Sequence, residues 1–317
     1  MKILSMRLAP LTALFALLLL ARTADAELAP ASFAYVLQAD SLAKSKPAAI
    51  SRLATSARDW LVLDAAFASD TPWERADLDA IRRGQPGRKI VAYISIGEAE
   101  EYRAYWRKEW GNHGRLTAAA PAWLGGENPE WKGNYRVKYW RAEWQKIMLA
   151  AVDDAMARGF DGVYLDIVDG FETFEQDGKD FIDDRVNPET KQSYRRDMVD
   201  WVKAIAARAR STNPSALVIP QNGSQLLSYD DFTCAISAIG IEDLFTDGNK
   251  LQLESNTNEV LGDLKKMTAV RKPVLLVEYP KTAERQALVK KLANENRLTL
   301  LLTDRQLKTL GQSGKQE

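Results

Sequence analysis

The chain alternates short, mostly apolar runs with longer segments whose apolar residues recur at three- and four-residue steps. The runs are Phe33–Gln38, Trp60–Ala65, Lys89–Ile96, Gly162–Asp166, Ala216–Pro220, Ala238–Glu242, Pro273–Glu278 and Leu298–Leu302. Nearly continuous apolar runs of this length are expected of parallel strands covered on both faces. Between them, Thr71-Pro72-Trp73-Glu74 has the form of a capping box with proline at the first helical position. Val137, Trp140, Trp144, Ile147, Met148, Ala151, Val152 and Ala155 mark one helix face, which Gly159 is placed to stop. Asn187-Pro188 opens another helix, with Tyr194, Met198, Val202, Ile205 and Ala209 on its apolar face and Asn213-Pro214 at its end. Strands alternating with helices predict an α/β fold, a single (β/α)8 TIM barrel over residues 27–317. A doubly wound open sheet is the alternative. Two connections are long, Gly97–Arg136 after the third strand and Gly170–Glu189 after the fourth. In a barrel both lie on the face where catalytic groups sit.

The first residues follow a different pattern. Lys2 and Arg7 precede the apolar run Leu8–Leu20, and Ala24-Asp25-Ala26 has small residues at the spacing of a cleavage site. Residues 1–26 therefore read as a cleaved signal peptide, which makes the mature protein periplasmic or secreted. The apolar run is shorter than the roughly 20 residues of a spanning helix, and an uncleaved anchor is the weaker alternative. No later segment is long and apolar enough to span a membrane after that cleavage.

Composition narrows the chemistry. Apolar residues make up 46% and charged residues 27%, as in soluble globular proteins, and the formal net charge of zero gives no basic footprint for nucleic acid. Cys234 is the only cysteine, so no intramolecular disulfide forms; it reads as a small buried hydrophobe. His113 is the only histidine and sits in the turn-like Gly111-Asn112-His113-Gly114. A chain with one histidine cannot supply the two or three imidazoles usual at zinc hydrolase sites. No dinucleotide or P-loop glycine motif is present. Nothing calls for a cofactor, and the chemistry falls to carboxylates.

Those carboxylates are concentrated at strand ends. The predicted strands finish at or beside Asp64, Glu98, Asp166, Glu242 and Glu278. Each alone could cap a helix or complement its dipole. Together they would repel, and such a cluster persists where a substrate, a metal or a functional pKa shift requires it. Two carboxylates facing a sugar bond suffice for glycoside hydrolysis. Asp166, ending Val163-Tyr164-Leu165, and Glu242, after Gly240-Ile241, are the best pair. A divalent metal on Asp166, Asp169 and Glu172 is a competing use, although no calcium-loop spacing accompanies it. Trp106, Trp110, Trp123 and Trp131 all fall in the third loop. Indole faces pack against sugar C–H faces, but the same residues could instead pin the loop to the barrel. Trp123 and Trp131 stand near glycines and are the candidates, whereas Trp140 and Trp144 read as helix core.

Several longer blocks are familiar. Val91–Glu100 (VAYISIGEAE), Trp123, Asn128-Pro129-Glu130-Trp131, Gly133-Asn134-Tyr135, Tyr139-Trp140 and Gly159–Asp166 (GFDGVYLD) resemble glycoside hydrolase family 114. These are the endo-α-1,4-polygalactosaminidase-like proteins, related to the hydrolase domain of the Pel exopolysaccharide system. Gln221-Asn222-Gly223 and Gly240-Ile241-Glu242 are shorter matches. The resemblance implies a (β/α)8 barrel that cleaves α-1,4-linked galactosamine or partly N-acetylated galactosaminan. It places the catalytic acids on Asp166 and Glu242, with Asp166 as nucleophile and Glu242 as acid/base. Asp64, Tyr93, Glu98, Trp123, Trp131, Asp169, Asn222, Glu278 and Tyr279 would then line the amino-sugar subsites. The loop Phe171–Glu189 is longer than the family pattern. A non-catalytic polysaccharide-binding barrel and a metal-dependent hydrolase are the rival readings.

Overall fold

The computed structural model describes residues 29–112 and 114–314. Parallel strands alternate with helices, as the apolar pattern requires. The strands are β1 Phe33–Val36, β2 Trp60–Asp64, β3 Lys89–Ser95, β4 Gly162–Asp166, β5 Leu217–Pro220, β6 Ile239–Glu242, β7 Val274–Glu278 and β8 Thr299–Leu302. Each lies within the expected run or a residue or two short of its ends. The first five form one parallel sheet in chain order. The other three form a second, extended by the antiparallel strand Gln312–Ser313. A parallel bridge, Gln221 to Gly240, joins β5 to β6. Thr299 Oγ1 of β8 bonds Pro30 O just before β1 (3.0 Å), and Phe33 N of β1 bonds Ser313 Oγ of the Gln312–Ser313 strand (3.0 Å).

Side chains alternate across the strands with a period of two. On β3, Val91 and Tyr93 join one buried cluster, whereas Ile90, Ala92 and Ile94 join the packing beneath the helices. The cluster around Val91 and Tyr93 also takes Phe33 and Tyr35 from β1, Tyr164 from β4, Ile219 from β5, Leu275 and Val277 from β7, and Leu301 from β8. Residues of both sheets thus share one interior. Its upper layer is aromatic and hydroxylated: Tyr35 lies 5.0 Å from Tyr164 and 6.3 Å from Tyr93 between ring centroids.

The main helices are α1 Lys46–Thr55, α2 Arg75–Arg82, α3 Ala142–Arg158, α4 Tyr194–Thr212, α5 Asp230–Ala235, α6 Glu254–Ala269 and α7 Ala283–Glu295. Gly159 ends α3 in the left-handed conformation, φ 96°, where glycine has no steric penalty. Three local expectations change. The capping box is Glu74 with Asp77, and Thr71-Pro72 instead pairs with Ala66–Ala68 as a hairpin strand. Val137 and Trp140 precede α3, because Asn134–Val137 is drawn into an antiparallel sheet with Glu98–Glu100 and Leu124–Glu127. Helix α4 begins after Ser193, whose hydroxyl caps Arg196 N (3.1 Å), while Asn187 is buried in the preceding loop. That loop also carries a small hairpin, Gln176–Asp177 with Asp180–Phe181.

Cys234 is exposed rather than buried. It sits on α5, a helix too short to present a complete apolar face. His113 and the leader expected at residues 1–26 lie outside the described residues. Among the described residues no helix is long and apolar enough to cross a membrane.

Gly240 shows how tightly the interior is filled. A Cβ there would collide with the Tyr164 hydroxyl and the Gln221 amide oxygen, which hydrogen-bond to each other. Gly240→Ala should therefore cost about 1–3 kcal/mol through overpacking, read as a lower thermal midpoint. An unchanged midpoint would mean that the interior has slack the structure does not show.

Candidate active site

The sheet delivers its chemistry where the strands end. After β4, β5 and β6 the next relevant residue turns left-handed: Ile167 (φ 58°), Asn222 (φ 59°) and Asp243 (φ 51°). Non-glycine residues rarely adopt this region, and such strain gathers at functional sites. Gly97 makes the first turn possible, because a Cβ there would strike the Ile167 carbonyl. The turns lift Asp166, Asn222 and Glu242 onto one mouth.

Asp166 is held by two donors. Tyr93 Oη gives a hydrogen bond to Oδ2 (2.7 Å), and Ile167 N gives one to Oδ1 (2.8 Å). Burial raises its pKa, and these two bonds oppose the rise by favouring the ionised form. Glu242 accepts from the Tyr279 hydroxyl, and its backbone N–H donates to Asn222 Oδ1 (3.1 Å). Burial, then the Asp166 charge, pushes the Glu242 carboxyl up to about 7. The two carboxyls are electrostatically coupled: burial raises both, hydrogen-bond donors to each oppose the rise, and the Asp166 charge adds to the rise of Glu242.

Beside them, Asp169 is pushed up to about 8 by burial, by Glu172 and by Asp166, with the Asn222 side chain opposing. Glu172 is raised by burial and accepts from Gln225 Nε2 (2.7 Å). Asp169, Glu172, Asn222 and Glu242 line a cavity of about 220 Å³. Across the mouth a larger cavity, about 690 Å³, is lined by Asp64, Tyr93, Glu100, Tyr102 and Arg103. There Arg103 bridges Asp64 (2.7 Å) and Glu100 (2.6 Å) and lies over the rings of Tyr93 and Tyr102. Glu98 is buried on the antiparallel sheet beyond β3, where Asn128 Nδ2 bonds its Oε1 (2.8 Å). Burial raises its pKa, and the nearby Asp166 adds to the rise.

The structure thus brings Asp64, Tyr93, Glu98, Asp166, Asp169, Asn222, Glu242 and Tyr279 around the mouth. It does not bring all the sequence candidates there. Trp123 is 4% exposed and packs between Trp110 (5.3 Å) and Trp144 (5.0 Å), so it pins the loop and offers no sugar-stacking face. Glu278 is fully buried beneath the loop after β6, accepting from Phe245 N (2.7 Å), Thr246 N (3.2 Å) and Thr246 Oγ1 (2.6 Å). Its carboxyl, pushed up to about 7 by burial, anchors that loop, so Glu278 is a structural residue and not the subsite residue the resemblance implies. Trp131 is 49% exposed on the turn between Glu127 and Asn134. Among the described residues no three His, Cys, Asp or Glu converge as metal ligands, Asp166, Asp169 and Glu172 included. Glu100, Arg103, Gln221 and Arg305 were missed from sequence. Glu100 and Gln221 carried a signal, since they stand in the matched segments Val91–Glu100 and Gln221-Asn222-Gly223; Arg103 and Arg305 had none beyond their place after a strand.

Coupled buried carboxylates at the C-terminal strand ends of a parallel α/β fold are the groups that two-acid glycoside hydrolysis uses. Residues 21–317 match the model of glycoside-hydrolase family GH114, and the chain belongs to that family. An uncharacterised protein of Deinococcus radiodurans is 34% identical over 249 residues, 78% of this chain and 72% of that protein. An uncharacterised protein of Methanocaldococcus jannaschii is 41% identical over 197 residues, 61% of this chain but only 52% of its own length. The glycoside hydrolase domain of PelA from Pseudomonas aeruginosa shares the fold, with a TM-score of 0.62 at 18% identity, covering 90% of this chain and 98% of that one. Aspergillus fumigatus Ega3, solved in complex with galactosamine, does so with a TM-score of 0.63 at 17% identity, covering 90% and 96%.

The raised carboxyls predict how stability depends on pH. Asp169, Glu242 and Glu278 keep their protons in the folded state at pH values where the unfolded chain, with ordinary values of 3.8 to 4.5, releases them. Their contribution is complete below those ordinary values and is lost as pH rises through about 7 to 8. The thermal midpoint should therefore fall from pH 5 to pH 8.5. Asp169→Asn, which cannot ionise, should fall less steeply; equal slopes in the two proteins would contradict the burial of Asp169.

Proposed function

We propose that this chain is an exported glycoside hydrolase that cleaves α-1,4-linked galactosamine or N-acetylgalactosamine polysaccharide. The cut is internal to the chain and retains anomeric configuration. The two sheets act as one (β/α)8 barrel with the mouth described above as its active face. The observation that carries this reading is the coupled acid pair: burial raises both carboxyls, Tyr93 and the Ile167 N–H favour charge on Asp166, and the Asp166 charge helps push Glu242 up to about 7. Like charges in a shared low-dielectric site divide into an acid and a base in this way.

Asp166 attacks the anomeric carbon while Glu242 gives its proton to the leaving glycosidic oxygen. The bond to the leaving sugar breaks and a covalent glycosyl–Asp166 ester forms. Glu242, now ionised, takes a proton from water, which attacks the anomeric carbon, releases Asp166 and leaves the product with its original configuration. Tyr93 holds the Asp166 carboxylate in place for attack, and Tyr279 orients Glu242. Asp64, Glu98, Asp169 and Asn222 line the walls, and an acidic wall suits a sugar that carries an ammonium group. Ega3, which shares the fold, binds galactosamine, and this supports the same substrate class here. The apolar N-terminal segment supports export.

The mature chain should release short oligosaccharides from α-1,4-galactosaminan, with product lengths read by mass spectrometry. Asp166→Asn and Glu242→Gln should each lower kcat by about 10³-fold or more. The wild-type kcat should fall above about pH 7, as Glu242 loses the proton it must donate. Binding without products from any of the three proteins would replace this reading with a polysaccharide-binding barrel.

A further inference from the structure

Arg305 follows β8, in the loop that leads to Gln312–Ser313, and is distant in sequence from every acid of the mouth. Its guanidinium nevertheless reaches two of the groups that control Glu242. Nη1 bonds Asp243 Oδ2 (2.7 Å) and Nη2 bonds Asp243 Oδ1 (2.9 Å), a bidentate fork on the residue that immediately follows Glu242. The guanidinium carbon also lies 4.5 Å from the ring centroid of Tyr279, whose hydroxyl donates to Glu242. A weaker contact, Nη2 to Asp247 Oδ1 (3.4 Å), lies at the exposed edge.

From this geometry we infer that Arg305 is a positioning residue for Glu242: one side chain braces both the turn that aims the carboxyl and the tyrosine that bonds it. The inference rests on Glu242 being the acid of the proposed reaction. Asp243 stands in the left-handed conformation (φ 51°), which aspartate adopts more readily than most residues, so the aim of its turn is set by the groups that hold it. Its backbone is tied at both ends, N–H to Val277 O (3.1 Å) and carbonyl from Gln252 Nε2 (2.9 Å). The Arg305 fork ties the side chain as well. Isolated exposed ion pairs contribute little. A bidentate guanidinium that also stacks on an aromatic face is geometrically determined, and lysine cannot reproduce it. A cation over the Tyr279 ring also strengthens its hydroxyl as a donor to the carboxylate.

The charge matters as well as the geometry. The groups facing Glu242 are Asp166 and Tyr164 from β4, Tyr35 from β1, Gln221 after β5, Asp243 from its own turn, Tyr279 after β7, and Arg305 after β8. Of these, Arg305 is the cation. Removing it takes away a positive charge and leaves the Asp243 carboxylate unpaired beside Glu242, so both effects favour protonated Glu242. Removing the Asp243 charge instead leaves Arg305 uncompensated and favours ionised Glu242. The two halves of one ion pair thus act on Glu242 with opposite signs.

The test is a carboxyl ¹³C NMR titration of the folded chain, with the Glu242 resonance identified by its loss in Glu242→Gln. Arg305→Gln should raise the Glu242 midpoint by about half a unit or more, and Asp243→Asn should lower it. Arg305→Lys should keep the midpoint near wild type. On galactosaminan it should still lose about tenfold in kcat with little change in KM, because the fork and the stack are gone. Midpoints that stay fixed, or that move in the same direction in Arg305→Gln and Asp243→Asn, would overturn the inference. Should Arg305→Gln fail to fold, the Asp243→Asn and Arg305→Lys results decide the matter. Opposite shifts with no hydrolysis by the wild type would leave Arg305 as a brace on Glu242 and remove the functional reading, and with it the catalytic part of the inference. Hydrolysis by the wild type with unmoved midpoints would do the reverse.

Discussion

The structure depends on placing several carboxyls of like charge in one poorly solvated mouth. An ionised carboxyl that leaves water needs donors or opposite charge, or it takes up a proton. Each acid around β4 to β6 meets that requirement differently. Asp166 has a tyrosine hydroxyl and a backbone N–H. Glu242 has Tyr279 and keeps its proton to near neutrality. Asp169 has Asn222 and holds its proton further still. Acids with different proton affinities within one mouth are what acid–base chemistry needs.

The interior beneath explains why these acids are so well shielded. Tyr35, Tyr93 and Tyr164 fill the upper layer of the space shared by the sheets, with Gly240 leaving room for the Tyr164 hydroxyl. Phenols provide bulk that excludes water and polar ends that bond carboxylates and amides. The layer is therefore at once the top of the core and the floor of the site. A change of volume there would be felt by the acids above it.

Two arginines organise the rim from opposite sides. Arg103, in the loop after β3, joins Asp64 to Glu100; Arg305, in the loop after β8, grips Asp243 and covers Tyr279. Each planar fork links elements far apart in sequence. Glu278 does related work from below, taking three hydrogen bonds from Phe245 and Thr246 and so fixing the loop after β6. The acids of this protein thus divide by environment into those that face the mouth and those that hold its walls.

Much of this could be read along the chain. The apolar runs located every main strand because parallel strands covered on both faces need side chains that tolerate burial everywhere. Asp166 and Glu242 stood out because an acid ending such a run conflicts with its surroundings. Gly159 marked a helix end through its backbone freedom alone. These are local properties, and the sequence determines them without reference to the rest of the molecule. The tertiary structure decided which strand-end acids matter and how. Asp64 and Glu278 end their strands alike, yet one meets Arg103 at the rim and the other lies under Phe245 and Thr246. Trp123 and Trp131 share a glycine-containing loop, yet one is core and the other is exposed. Arg305 acquires its place beside Glu242 only when β8 packs next to β7. Burial, donors and neighbouring charges set the role of an ionisable group, and all three come from segments that the chain brings together only on folding.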